Sequence, residues 1–274
     1  MKTLALIAPC VLGISTLAAQ PLFTGSEASL STGVYGNSCK SPFTFLYNTA
    51  SLADGEASAG LYASNRYMLK ELAVYTATAT LPVAAGGMGL AMQYTGTSAA
   101  YHEMQWALAY GQSLGRVQIG AGAGYSIIRV PGYDSYGALA WAIGTVWRVT
   151  PQFRSGMQVV NSAGSRHGRN PSEKQPIALQ VGAGYEWSEQ LLLSGMITKE
   201  ANSPVRVQLS LQYLIQKYFL AGMGVIADIA SPWFSLGWQW KHVEAMVTAA
   251  FHPQLGPTPG LTVVFRSEKD ADKK

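Results

Sequence analysis

Bulky apolar side chains alternate one by one with small or amide-bearing ones along most of this chain. Met88, Leu90, Met92 and Tyr94 alternate with Gly87, Gly89, Ala91 and Gln93. Met104, Trp106, Leu108 and Tyr110 alternate with Glu103, Gln105, Ala107 and Ala109. The same period governs 117–128, where Gly120, Gly122 and Gly124 fall on one parity, and returns at 177–187 and 204–214. Successive side chains of a strand point to opposite faces, so each segment has one greasy face and one small, polar face. The greasy rows tend to end in Tyr or Trp, as side chains at a membrane–water interface do.

A soluble sandwich and a transmembrane barrel both produce alternation. Composition separates them. Charged residues are only 12% of the 274, against 48% hydrophobic, about half the usual charged share of a soluble domain. Seven of those charges sit in the last nine residues, RSEKDADKK. The polar face is Gly, Ala, Ser and Gln rather than Lys, Glu and Thr, which suits a crowded interior better than a wet exterior. No stretch past residue 20 is long and apolar enough for a spanning helix. The net charge of +4 is spread thinly, with no basic stripe for nucleic acid. The expected fold is all-β, a transmembrane antiparallel barrel.

Fourteen segments carry the pattern: 57–66, 69–81, 86–95, 101–111, 117–128, 136–149, 153–161, 177–187, 191–199, 204–214, 219–227, 232–240, 243–251 and 259–265. An even number suits a single-chain bacterial barrel, with twelve as the alternative count. Connections after even strands are short (82–85, 112–116, 150–152, 188–190, 215–218, 241–242). Several after odd strands are longer (129–135, 161–176, 228–231, 252–258). Short periplasmic turns and longer external loops place both termini in the periplasm. The lumen face then holds Gln93, Gln105, Gln118, Gln158, Gln180, Gln208 and Gln212 with Glu103, Glu186, Arg206 and Glu244.

Residues 1–19 read as a secretory signal peptide: Lys2, the apolar run Leu4 to Leu17, then Ala18-Ala19 before the cut. Cys39 is then the sole thiol of the mature chain. The expected organisation is signal peptide 1–19, an N-terminal segment 20–56, a barrel 57–265 and a polar periplasmic tail 266–274.

Residues 20–56 lack strong alternation and contain GSEASLSTGVYGNS (Gly25 to Ser38) and FLYNTASLADG (Phe45 to Gly55). This resembles the N-terminal hatch of the PorV/PorQ proteins of Bacteroidota, a branch of the FadL-like fourteen-stranded barrels. In that family G-A-R-A-x-x-L-G-G-A is followed by F-x-N-P-A-x-L. Gly25, Ala28, Leu30 and Gly33 match the first part, and Phe45, Asn48, Ala50 and Leu52 the second. Thr49 replaces the family proline, and Thr32-Gly33 stands where a Gly pair is usual. Gly60 to Pro82 also looks like the family's first hairpin. The resemblance implies a hatch lying in the lumen and an outer-membrane location in a Gram-negative, Bacteroidota-like cell. It implies an accessory barrel of type IX secretion that contacts secretion components or secreted cargo. The wider FadL-like resemblance implies the alternative, a hatch-gated channel for small hydrophobic compounds. Outer-membrane lipid is the expected partner in both, and no cofactor or metal is expected.

Enzyme motifs are weak. Gly111-Gln112-Ser113-Leu114-Gly115 matches the G-x-S-x-G elbow, which needs a helix after it; the residues beyond it carry the strand pattern of 117–128 instead. His102-Glu103 begins H-E-x-x-H, but the fifth position is Trp106. His167, His242 and His252 fall in loops or at strand ends, and the Arg166, His167, Arg169, Glu173, Lys174 stretch reads as a solvated loop. A non-enzyme is expected. Arg placed at Leu90, Trp106 or Leu209 should cost about 2–4 kcal/mol near the bilayer midplane; the folded fraction recovered in lipid vesicles measures it, and undiminished assembly would contradict the lipid-facing assignment.

Overall fold

The structure is a computed structural model and describes residues 27–37, 41–97, 101–132, 135–163, 177–201, 203–216 and 218–267. The strands are β1 (Ser58–Asn65), β2 (Ala73–Val83), β3 (Gly86–Thr97), β4 (Tyr101–Leu114), β5 (Val117–Arg129), β6 (Tyr136–Arg148) and β7 (Phe153–Ala163). They continue with β8 (Ala178–Ser188), β9 (Leu191–Glu200), β10 (Arg206–Ile215), β11 (Phe219–Ile226), β12 (Ser231–Trp240), β13 (Val243–His252) and β14 (Gly256–Arg266). Each pairs antiparallel with its neighbours in sequence, and β1 pairs with β14 from Ser58↔Arg266 to Ser64↔Gly260. The sheet is a closed fourteen-stranded barrel.

Closure gives every strand a hydrogen-bonded neighbour on both sides, the condition for crossing hydrocarbon. The greasy parity faces outward on every side of the cylinder. Leu61, Leu90, Leu108, Ile143, Leu209, Leu236 and Val247 are all exposed, Leu236 to 72%. A soluble monomer rarely exposes more than a few hundred Å² of contiguous apolar surface, whereas here a row emerges from each strand. Lipid is the solvent that fits. Trp147, Trp187, Trp238 and Trp240 gather at the end carrying the short turns, where the Trp238 and Trp240 rings stack 5.8 Å apart. Lys241 reaches over the Trp240 ring, its Nζ 5.8 Å from the centroid, an apolar stem leading to a charged head at the interface.

Three strand ends lie three or four residues from the expected positions, the first being β4, which continues past 111 to Leu114 so that only 115–116 turn. The second strand begins at Ala73, because Arg66–Met68 and Lys70–Leu72 form 3-10 turns in which Tyr67 and Met68 have φ of 55° and 59°. Left-handed backbone at two bulky residues is strained. It is tied down by the Tyr67 N–H donating to Thr258 Oγ1 at 3.0 Å and by the Tyr67 ring against His252 at 5.7 Å. Strand β14 begins at Gly256 rather than 259 and contains Pro257 and Pro259. Its β1 partner stops at Gly260, so one side of this stretch is an edge, where proline is tolerated.

Residues 27–37 and 41–56 lie inside the cylinder. Thr49–Asp54 is a 3-10 turn packed against β3 to β6, and Ala28–Ser31 is another packed against β11 and β12. Contacts on opposite walls, all made to the inward parity, leave only the lumen. Glu27 stands beside Arg66 at the long-connection end, 3.1 Å from Oε1 to Nε, while Asp54 stands beside Arg148 at the short-turn end. The segment therefore crosses the barrel from one mouth to the other. The two ends of the wall, Ser58 and Arg266, share the short-turn end. Glu27 is at the opposite mouth.

The lumen admits this segment because the wall is stripped down where the segment touches it. A methyl group at Gly120 would fall on the Thr49–Ala50 backbone, one at Gly87 on the Leu52 carbonyl, and one at Gly182 on the Tyr35 ring. At Gly89 it would stand 3.0 Å from both Leu52 and Phe45. Gly120→Val should therefore leave the barrel wall intact while expelling the segment. Unchanged strand content by circular dichroism, with new protease cleavage within 41–56, is the expected pair of results; an uncleaved segment would contradict the packing.

Candidate functional site

The contact between the inner wall and the N-terminal segment concentrates the molecule's buried polar chemistry. Wall glutamines supply both a donor and an acceptor without bringing charge into the lumen. The Thr49 N–H donates to Gln158 Oε1 at 2.7 Å, and Gln158 Nε2 donates to Gln180 Oε1 at 3.3 Å. Gln208 Nε2 donates to the Ala28 carbonyl at 2.7 Å and to Ser31 Oγ at 2.5 Å. Ser194 Oγ donates to the Thr32 carbonyl at 3.1 Å. Asn48 caps the Thr49–Asp54 turn by accepting the Ala50 N–H at 3.0 Å, while its Nδ2 donates to the Thr145 carbonyl at 3.1 Å. Gln158, Gln180, Asn48 and Thr49 are fully buried, and a buried polar group without a partner costs about 1–3 kcal/mol. The ladder thus favours one docked position.

Two charged clasps hold the segment at the short-turn mouth. Asp54 bridges Arg148 on β6 and Arg154 on β7, at 3.3 Å to the latter. Asn37 donates its backbone N–H to Glu186 Oε1 at 2.6 Å and its Nδ2 to Oε2 at 2.8 Å. At the other mouth Glu27 pairs with Arg66, and the Tyr47 hydroxyl donates to the Glu27 carbonyl at 2.5 Å. Burial pushes the Tyr35 hydroxyl up to about 12, partly offset by the Asn48 side chain. Burial raises Tyr47 as well, helped by the Glu27 carboxylate. Both rings are neutral packing elements at any physiological pH.

The sequence singles out eight residues here. Gly25 lies outside the described residues. Ala28 and Leu30 are buried in the upper part of the segment, the former through its carbonyl on Gln208, and the Gly33 carbonyl accepts the Gly36 N–H at 3.2 Å. Phe45 and Leu52 meet over Gly89, while Asn48 and Ala50 are joined by the cap. The two groups are separate clusters, one facing β10 to β12 and one facing β3 to β6. Sequence reasoning passes over Tyr35, Asn37, Phe43, Tyr47 and Asp54, and notices Thr49 only as a replacement for proline. Phe43, Tyr47 and Tyr35 are buried, Phe43 against Gly60 and Tyr35 against Gly182 and Gly184, so aromatic rings as well as small side chains fill the lumen. The wall glycines of one parity are the signal that could have found them.

The remaining motifs are structural. Gly111 and Ser113 lie in β4, Gly115 turns with φ 66°, and β5 comes directly after, so no nucleophile elbow forms. His102 stacks on Tyr94 at 6.0 Å, and Glu103 accepts from Gln105 at 2.6 Å and from Tyr101 at 3.1 Å. His252 packs on Tyr67. His242 is in the β12–β13 turn. Cys39 and the 166–174 stretch lie outside the described residues.

Beside the segment remains a cavity of about 210 Å³, bounded by Leu30 and Thr32 on one side and by β10 to β14 on the other. Among the described residues the strand ladders run around the wall without a side opening.

No known protein family matches the sequence, and no curated protein matches it. Solved structures do match in shape. The Pseudomonas putida toluene transporter TodX aligns with a TM-score of 0.60 at 8% identity, covering 89% of this chain and 98% of that one. The Acinetobacter baumannii outer membrane protein Omp33 aligns at 0.52 and 8% identity, covering 79% and 100%. The chain has the fold of outer-membrane β-barrels. Asp54→Asn should leave Arg148 and Arg154 facing each other with only the more distant Glu186 carboxylate to offset Arg154, costing about 2–3 kcal/mol of docking. Hydrogen exchange at amides 41–56 should then quicken by one to two orders of magnitude while the wall amides hold; unchanged exchange would show that Asp54 does not clasp the segment.

Proposed function

We propose that this protein is a plugged, non-enzymatic barrel of the outer membrane that acts as an accessory scaffold rather than as an open pore. The observation that carries the reading is the lumen itself: residues 27–37 and 41–56 occupy it, bonded to the wall from mouth to mouth. Scaffold action puts the recognition surface at the rim and loops, in contact with other proteins. The likeness of Ala28, Leu30, Gly33, Phe45, Asn48, Ala50 and Leu52 to the PorV/PorQ hatch extends the proposal to type IX secretion. Secretion components or secreted cargo are the partners on that reading. Orientation comes from the connections, with short turns in the periplasm.

A second reading has one observation behind it, the overall likeness to a toluene transporter. On that reading the N-terminal segment would be a gate for small hydrophobic compounds. The polar ladder on the segment and the unbroken wall favour the scaffold.

Three measurements test these readings. In planar bilayers the purified protein should show no porin-like conductance, whereas Gly120→Val should raise it. Affinity purification in mild detergent should recover secretion components or secreted cargo. Recovery of the barrel alone, with loss of fatty-acid or hydrocarbon uptake in a deletion strain, would overturn the scaffold in favour of the channel.

A further inference from the structure

We propose that the 66–72 turn is a latch through which a contact at the rim of the long-connection mouth loosens residues 27–37 in the lumen. The turn is held in an unfavourable shape. Tyr67 and Met68 have left-handed backbone, φ 55° and 59°, a region that bulky side chains avoid. Such a shape persists only while its surroundings impose it, and here β13 and β14 do so. The Tyr67 N–H donates to Thr258 Oγ1 at 3.0 Å, and the Tyr67 ring lies edge-on to His252, 5.7 Å between centroids. His252 also ties the turn to the tip of the β13–β14 hairpin, its Nδ1 accepting the Gln254 and Leu255 N–H groups at 3.2 Å. Tip and turn both meet their surroundings with exposed apolar side chains, Leu255 on the one and Met68 and Leu69 on the other.

Arg66 is the inner end of the latch. It comes one residue before the left-handed pair, and its guanidinium reaches the head of the N-terminal segment, 3.1 Å from Nε to Glu27 Oε1. Glu27 is joined to the rest of that segment through its carbonyl, which accepts the Leu30 N–H at 3.1 Å and the Tyr47 hydroxyl. Arg66 also offsets the Glu103 carboxylate on β4. A turn moved off Thr258 and His252 carries Arg66 with it and leaves the mostly buried Glu27 side chain without that cation. Asn37 and Asp54 stay clasped at the opposite mouth, so the segment loosens from one end and remains tethered at the other. The latch concerns how the segment is held rather than what binds the rim, and its failure would leave the scaffold reading untouched.

Hydrogen exchange of the full chain in detergent micelles, read at amides 28–36, tests the path. Thr258→Val keeps the side-chain shape and removes the acceptor of the Tyr67 N–H; Arg66→Gln removes the charge at the inner end. Each should quicken exchange at 28–36 about tenfold while the wall amides of β5 to β8 hold. In a double-mutant cycle Thr258→Val should add little to Arg66→Gln, because the turn acts on the segment through Arg66. Unchanged exchange in either single variant, quickening that extends to the wall amides, or two effects that multiply as independent changes would overturn the latch. Were Thr258→Val not to assemble, Met68→Asn decides. Asparagine accepts left-handed backbone more readily than methionine, so slower exchange at the same amides is expected there, and equal or faster exchange would count against the proposal.

Discussion

Hydrocarbon offers a backbone no hydrogen bonds, and the rest of this molecule is built on that constraint. A chain so poor in charge can lie in lipid only if each peptide group finds its partner within the protein, and the β1–β14 seam completes that pairing. Once the sheet is closed, its two faces have different solvents. Leu90, Leu108 and Leu236 face acyl chains, while the opposite parity is confined to a space where bulk is a liability and an unpaired dipole is penalised. Glycine and glutamine solve the two halves of that inner problem, one by removing volume and the other by carrying a donor and an acceptor.

The N-terminal segment is shaped to the same interior. Its rings sit where the wall has no side chains, Tyr35 on Gly182 and Phe45 on Gly89. Its carbonyls and amides end on wall glutamines. Charges are kept for the mouths, where Asp54 and Glu27 meet arginines. Apolar packing gives the docking its strength, and the ladder of amide bonds gives it one register. The clasps anchor the two mouths, Glu27 on Arg66 and Asp54 on Arg148 and Arg154.

How much of this can be read from the chain alone depends on the range of the interaction. Strand parity is local, so the fourteen segments and the inward set Gln105, Gln158, Gln180 and Gln208 are legible from the alternation. The prolines of 256–259 and the left-handed pair Tyr67–Met68 break it, and there the boundaries shift by three or four residues. The segment is harder. Asp54 finds Arg148 and Arg154 across 94 and 100 positions, and no periodicity connects such partners. Asn48 is legible as a motif residue, but its bond to the Thr145 carbonyl is not. Glycine parity in the wall is the one trace that the occupant leaves in the sequence of its container.

The mouth-to-mouth path of residues 27–37 and 41–56 also ties the guest to the closing seam. These residues precede β1, yet they end up surrounded by all fourteen strands, with Glu27 at the far opening. The seam that closes the ring joins the first strand to the last, so the strand that follows the guest in sequence is also the one that shuts the wall around it. Ala57 alone separates the guest from that strand, so plug and lock are a single stretch of chain.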